Sequence, residues 1–230
     1  MNAFFTESVY FGVVLSLAAY EIGRLLQIRF RLAVLNPLLI AILLTTAAVC
    51  LLGVDYKSYY AGAKHISYLL TPATVCLAVP LYEQLTLLRR NLAALAAGIL
   101  SGVLASFVSV LALSKLFRLS HAEYVTLLPK SITTAIGIGV SESLGGIASI
   151  TVAVIIVTGI LGNVIAEGLF RALRIRHPIA KGLSLGTAAH AVGTARAMEI
   201  GEVEGAMSSL AITVCGLLTA AAASFFAQFH

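Results

Sequence analysis

Four runs without a charged residue most restrict how this chain can fold. They cover residues 32–54, 91–114, 143–166 and 205–230, and each reaches the roughly 20 apolar residues that a helix needs to cross a bilayer. Sixty per cent of the residues are hydrophobic and 11% are charged, which excludes a soluble domain. Because helices satisfy their own backbone hydrogen bonds in lipid, the sequence predicts an all-α, polytopic integral membrane bundle.

The basic residues indicate how these helices are oriented. Short basic loops mark the cytoplasmic side of a membrane protein, so we interpret the net charge of +5 as a topology signal and not as a nucleic-acid patch. A cleaved signal peptide begins with a basic region, and no such region precedes residues 8–20. We therefore expect residues 8–20 to form a first span that is retained. The basic residues form three clusters: Arg24, Arg29 and Arg31; Arg89 and Arg90; Arg171, Arg174, Arg176 and Lys181.

Placing these clusters on one side limits the crossings between them. Residues 66–88 must then return across the membrane, whereas residues 121–142 lie between two full spans and should not cross. The second stretch contains Pro129 and two glycines, and we expect a broken or re-entrant helix there, sheltered by protein or by a watery cavity. Residues 182–195 are too short to span comfortably and are expected to form another broken segment.

A proline-containing pattern occurs twice in the chain, 57 residues apart. Residues 70–75 match residues 127–132, and both copies place a proline third. Interrupted hydrophobic segments in corresponding repeats indicate a transporter's binding site; the alternative is two proline kinks that only help helices to pack. We therefore predict one transmembrane domain over residues 1–230 with an inverted repeat, its related segments near 66–117 and 123–174. The number of crossings deduced from the basic clusters conflicts with this likeness, because it makes the first proline segment cross the membrane and the second stop short.

Lys130 is the leading candidate for substrate binding. An ionisable group in a membrane helix costs about 2.5–3.5 kcal/mol on insertion scales and is a functional candidate by default. Ser131, Thr133 and Thr134 follow it, and the start of a half-helix beyond Pro129 would also attract an anion. The alternative is a shallow lysine whose ammonium reaches the headgroups.

The stretch of residues 186–196 provides further candidates. It repeats Gly-Thr at a seven-residue spacing, with His190 between the pairs and Thr194 in the second. His190 suits a proton relay, although a hydrogen-bonded packing histidine is the alternative. Arg196 can hold a carboxylate; the alternative is a salt bridge with Glu199 or a contact with lipid headgroups. Thr74, in the first proline segment, completes the predicted substrate-binding set.

The sequence contains no arrangement typical of an enzyme or a metalloprotein. No nucleophile, base and orienting group occur together, so we do not predict catalysis. The three cysteines (Cys50, Cys76 and Cys215) are odd in number and far apart, which predicts neither a disulfide framework nor a metal site. No cofactor is expected.

Several of these motifs, in order along nearly the whole chain, resemble the LrgB/CidB family. One departure is Ala135, where many relatives have proline. The resembling motifs are residues 36–39, 72–74, 78–82, 128–131, 145–147 and 186–187, His190, and residues 193–197, 199–202 and 204–206.

The resemblance implies two classes of function. Bacterial members are described as antiholin-like proteins that modulate murein hydrolase activity, usually with a small membrane partner of the LrgA/CidA type. Plastid relatives are glycolate/glycerate carriers, and some bacterial members are linked to pyruvate movement. We expect a multi-pass protein of the bacterial cytoplasmic membrane, able to form homo-oligomers. It either carries small monocarboxylates or regulates wall hydrolysis without transport.

Overall fold

The chain is entirely helical wherever the structure assigns regular elements. The computed structural model describes residues 10–30, 35–76 and 78–230, and every element in these ranges is an α-helix. This confirms the predicted fold class. The first nine residues, and Arg31 of the first basic cluster, lie outside the described residues. The chain divides into two compact units, residues 1–76 and 77–230, so the single domain over 1–230 stays a prediction.

The first unit is built around one long helix, α1 (Phe11–Phe30). It packs against α2 (Pro37–Leu52) and α3 (Tyr56–Ser67), and α4 (Leu70–Cys76) follows. Glycines permit these contacts: a Cβ placed on Gly23 would lie 2.7 Å from the carbonyl oxygen of Pro37. Ser16 Oγ also lies 2.8 Å from the hydroxyl of Tyr59.

The second unit contains the longest helices. Its elements are α5 (Ala78–Glu83), α6 (Leu85–Arg90), α7 (Leu92–Phe117), α8 (His121–Leu127), α9 (Thr134–Ser143), α10 (Ala148–Ala172), α11 (Pro178–Ile200) and α12 (Glu202–Ala227).

Four of the described helices are long and apolar enough to cross a membrane: α1, α7, α10 and α12. Three of the four charge-free runs therefore form the expected long helices. The run at residues 32–54 forms only the 16-residue α2, about 24 Å long at 1.5 Å per residue, against a hydrocarbon core of about 30 Å. Asn36 caps its start and Gly53, in the left-handed conformation, ends it, so local signals shorten this helix.

The stretch at residues 66–88 is not one continuous helix. It includes the short helices α4 and α5 and most of α6, with Leu77 outside the described residues. The turn at residues 68–69 precedes α4, and Gln84 separates α5 from α6. Pro72 stands in the first turn of α4, where proline's missing N–H is tolerated.

The chain reverses direction between α8 and α9. A Cβ on Gly137 of α9 would lie 3.6 Å from the carbonyl oxygen of Pro129, and one on Gly146 would lie 3.0 Å from Thr126 Oγ1. Residues before the break therefore lie beside residues well after it. We call residues 121–143 the first hairpin and residues 129–133 its tip.

A second reversal divides α11 at His190. This residue has φ 41° and ψ −128°, a strained conformation for a side chain with a Cβ. A Cβ on Gly193 would lie 3.0 Å from the carbonyl carbon of Leu185, although residues eight apart in a straight helix are about 12 Å apart. We call residues 178–200 the second hairpin and His190 its tip.

The last helix, α12, shows how the two hairpins are placed. Gly182 and Gly186 of the second hairpin pack on Met207 and Ala211, in the small-residue spacing that lets helices approach closely. Both ends of this hairpin therefore lie at the N-terminal end of α12. The first hairpin begins at the opposite end, where the hydroxyl of Tyr124 donates to the carbonyl of Phe226 (2.8 Å).

The hairpins thus point toward each other from opposite ends of α12. Their first residues, His121 and Pro178, are 57 positions apart, as are their last residues, Ser143 and Ile200. This agrees with the repeat spacing of the sequence. An inverted repeat and re-entry into a bilayer stay predictions.

Candidate functional site

The two hairpin tips carry the leading candidate residues. Lys130 stands at the first tip and His190 at the second. Near the tips, Ile136 lies against Gly216 and Gly186 lies against Ala211, so the site lies near the middle of α12. Transporter substrate sites lie at this depth, where broken helices meet.

The first tip presents one cation surrounded by hydroxyl groups. Lys130 is half-buried, and its Nζ donates to Ser131 Oγ (2.9 Å). Ser131 also accepts a hydrogen bond from Ser106 of α7 (3.3 Å). No ion pair among the described residues includes Lys130. A charge at this depth without a carboxylate partner is costly, which favours a site for an anion.

The helix that follows the tip adds further groups that attract an anion. Thr133 is the N-cap of α9, and its side chain makes no capping hydrogen bond. The first-turn N–H groups of α9 therefore lack a side-chain acceptor, and the positive end of the helix dipole lies there. Thr133 and Thr134 are both partly exposed.

His190 at the second tip is held in a defined tautomer. Its Nε2 lies 2.9 Å from the carbonyl oxygen of Ile155 in α10. Because a carbonyl only accepts, Nε2 carries a hydrogen and Nδ1 is left to take up or release a proton. The ring fits because position 159 is glycine: a Cβ there would lie 2.8 Å from Cε1 of His190.

Hydroxyl groups also surround the base of this tip. Thr194 Oγ1 donates to the carbonyl of His190 (2.9 Å) and lies 2.9 Å from Ser208 Oγ of α12. Ser209 Oγ is buried without a hydrogen-bond partner among the described residues. Sequence reasoning identified Thr194 but not the serines, because no local pattern distinguishes them from other serines in membrane helices.

A buried hydroxyl network fastens the first hairpin to α10, and sequence analysis did not identify it. Thr151 is 0% exposed. Its hydroxyl lies within hydrogen-bond distance of the carbonyl of Thr126 (2.9 Å), of Ser141 Oγ (2.7 Å) and of the carbonyl of Ile147 (3.3 Å). The amide of Ile147 donates to Thr126 Oγ1 (2.8 Å). This network fixes the position of the tip relative to α10.

Arg196 does not lie at the tips. Its guanidinium pairs with Glu167 of α10 and with Glu199 at 2.5 Å, as the alternative to carboxylate binding anticipated. It is six residues beyond His190, about 9 Å along a helix. Thr74 lies in α4, but its side chain falls outside what the structure describes, so its role stays a prediction.

A cavity of about 700 Å³ is lined by α7 and α11, which pack against each other beside it. Its α7 wall ends at Ala105, next to Ser106, and its α11 wall ends at Thr187, three residues before His190. Neither Lys130 nor His190 lines it. The cavity therefore extends toward the two tips without reaching Lys130 or His190.

Metal binding receives no support from the described residues. No group of three or more His, Cys, Asp or Glu side chains is gathered in them. Cys50, Cys76 and Cys215 are all free thiols, and only Cys215 is buried.

Comparison with known proteins gives a consistent family match. The model of the LrgB-like family matches residues 16–229. Proteins named antiholin-like protein LrgB from Bacillus mycoides (strain KBAB4) and Bacillus cereus (strain B4264) are each 38% identical over 225 residues, covering 97% of this chain and 98% of the relative. No solved structure gives a significant match.

Proposed function

This chain belongs to the LrgB-like family, and from that premise we propose that it carries small monocarboxylates, of the pyruvate or glycolate type, across the bacterial cytoplasmic membrane. The observation that carries the proposal is the half-buried Lys130, which has a hydroxyl neighbour but no ion pair among the described residues. A substrate carboxylate would supply the missing negative charge.

The tip geometry assigns a role to each group in this proposal. The carboxylate would accept hydrogen bonds from Lys130 and from the N–H groups that start α9, with Ser131, Thr133 and Thr134 contributing hydroxyls. His190 would take up a proton at Nδ1 when the anion binds, since its Nε2–H is held by Ile155. Anion and proton would then move together without net charge, which avoids the cost of carrying a bare charge through lipid.

A route for the substrate is also required. The uncharged cavity between α7 and α11 has the volume of a small-molecule site and ends near both tips. The strained backbone at His190 provides a hinge for the second hairpin. We propose that movement of this hairpin against α7 opens the cavity to the site.

Uptake into proteoliposomes tests the carrier proposal directly. Purified protein would be reconstituted and supplied with labelled pyruvate or glycolate. We expect uptake by the wild type and a decrease of about tenfold or more in Lys130→Ala, because one partner of a buried charge contact is lost. Lys115→Ala is the matched control, since Lys115 is exposed in the last turn of α7.

Two results would contradict this proposal. Unchanged uptake in Lys130→Ala, with normal membrane insertion, would exclude the lysine as the anion site. Absence of uptake by wild-type protein that remains monodisperse would exclude carriage of these substrates.

A second function is favoured by the names of the relatives. Proteins 38% identical over nearly the whole chain are called antiholin-like, which supports a regulator of murein hydrolase activity. We propose an LrgA/CidA-type membrane protein as its partner. Co-expression with such a partner, followed by measurement of cell lysis, tests this. Regulation would be favoured over transport by two results together: the protein moves no monocarboxylate, and the effect on lysis persists in Lys130→Ala.

A further inference from the structure

A second cavity, of about 390 Å³, lies at the base of the second hairpin, away from the tips. It forms where α10 ends, the chain turns and α11 begins, and Ile200 at the end of α11 closes it. Its charged lining residues are Glu167, Arg171, Arg174, Arg176 and Lys181.

The lining is strongly positive. Four cations face one carboxylate, a formal charge of +3, and that carboxylate is paired with Arg196 from the neighbouring hairpin. None of the four cations takes part in an ion pair among the described residues. The cavity thus has an uncompensated positive charge, and it belongs to the cluster that the sequence places on the cytoplasmic side.

Arg174 has an unusual backbone for its residue type. It follows the last turn of α10 with φ 55°, and the amide of Ile175 donates to the carbonyl of Phe170 (2.8 Å). In this type of helix ending, the residue in the left-handed conformation is usually glycine. An arginine there is strained where a glycine would not be. The side chain of Arg174 lines the cavity.

The chemistry of the lining favours a phosphate group. Guanidinium groups match phosphate oxygens with paired hydrogen bonds, and three arginines line this one cavity. The helix α11 starts between Arg176 and Lys181, so the positive end of its dipole lies beside this lining.

The remaining surroundings suit a lipid that carries this phosphate. The apolar lining residues Phe170, Ile175 and Ile200 belong to a hydrophobic cluster of α10 and α11. Exposed aliphatic side chains follow α10 every four residues down to Leu173, next to Arg174. They are Val157, Leu161, Ile165, Leu169 and Leu173.

We propose that this cavity binds a phosphate group, supplied by the headgroup of an anionic phospholipid whose acyl chains follow the exposed face of α10. Basic pockets between membrane helices on the cytoplasmic side bind such headgroups. The site is independent of the Lys130 site and does not rest on the transport proposal.

Arg174→Gly provides a sharp test, because it removes a cation and relieves backbone strain together, so loss of folding is not expected. Arg118→Gly is the matched control: Arg118 is exposed, ends α7 with φ 53° and lines neither described cavity. The double variant Arg174→Gly/Arg176→Gln enlarges the effect. Its control, Arg118→Gly/Arg89→Gln, removes the same charge elsewhere.

Native mass spectrometry would measure binding of phosphatidylglycerol and of zwitterionic phosphatidylethanolamine to purified protein. A parallel titration of delipidated protein with inorganic phosphate would be followed by thermal stability. We expect the wild type to retain phosphatidylglycerol preferentially, the Arg174→Gly/Arg176→Gln variant to lose this by about tenfold or more, and its control to bind like wild type.

Each outcome decides the proposal. Phosphate binding that depends on Arg174 and Arg176, without lipid preference, would support the phosphate site and assign it to a soluble ligand. If the double variant and its control lose phosphatidylglycerol binding equally, the binding depends on the overall surface charge, and the proposed site would be overturned. No preference for phosphatidylglycerol and no phosphate binding by the wild type would also overturn it.

Discussion

Gly159 of α10 faces the imidazole ring of His190, and the contact leaves no room for a side chain on α10. A Cβ at position 159 would lie 2.8 Å from Cε1 and 3.0 Å from Nε2 of His190. This glycine is therefore the reason that the second tip can bring its histidine to the carbonyl of Ile155.

Gly159→Ala should displace the ring and weaken the hydrogen bond to Ile155. Overpacking of a closely packed site costs about 1–3 kcal/mol, and we expect a loss of that size together with reduced uptake. Thermal unfolding in detergent and proteoliposome uptake measure the two effects. Gly168→Ala is the control on the same helix, since nothing lies within 4 Å of a Cβ there. Equal stability of both variants would contradict the contact.

The strain at His190 makes glycine and alanine unequal replacements. Both remove the ring and its hydrogen bond, worth about 0.5–1.5 kcal/mol, but only alanine keeps a Cβ at φ 41°. We expect His190→Ala to be less stable than His190→Gly by about 1–3 kcal/mol. Both variants should lose uptake driven by a pH gradient. An alanine variant as stable as the glycine variant would show that the backbone is not strained.

The first hairpin begins with a pH-sensitive cap outside the membrane-spanning helices. Ser120 donates from its amide (2.7 Å) and hydroxyl (2.8 Å) to the carboxylate of Glu123, and these bonds lower the pKa of Glu123. A lowered folded-state pKa gives stability that is present above the unfolded pKa, about 4.3, and is lost as pH falls through the folded value.

Acidification should therefore loosen the start of α8 in the wild type and much less in Glu123→Gln, which keeps an acceptor but does not titrate. Amide hydrogen exchange at residues 120–124, compared between pH 6 and pH 3, measures this. Parallel profiles for the two proteins would assign the acid response to other groups.

The sequence predicted where helices of the second unit are interrupted better than how far the apolar helices before it extend. It predicted the break after Pro129, the helix that starts beyond it and the broken segment around His190. It expected residues 66–88 to cross, which stays a prediction, and the structure interrupts this stretch at residues 68–69 and at Gln84. It also extended the second span beyond the capping residues Asn36 and Gly53. At that span, local capping signals outweighed the length of an apolar run.

The sequence predicted some residues of the candidate site and missed others. Lys130 and His190 are conspicuous because charged or titratable groups are rare in apolar stretches, and both lie at the tips. Arg196 is conspicuous for the same reason, yet it pairs with Glu167, which is 29 positions away in sequence. No pattern along the chain identifies that partner, nor the network of Thr126, Ser141 and Thr151. Long-range pairing depends on which helices become neighbours.

Hydropathy and the positions of proline and glycine suffice to predict a helical membrane protein with two interrupted segments. Transfer into lipid and backbone hydrogen bonding depend on consecutive residues, so both can be judged from the sequence. The placement of Lys130 and His190 at facing tips is different. It depends on two reversals and on glycines that allow close approach, and those contacts exist only when helices distant in sequence are packed together. Packing in three dimensions therefore places two polar residues, 60 positions apart in sequence, at the tips of one candidate site.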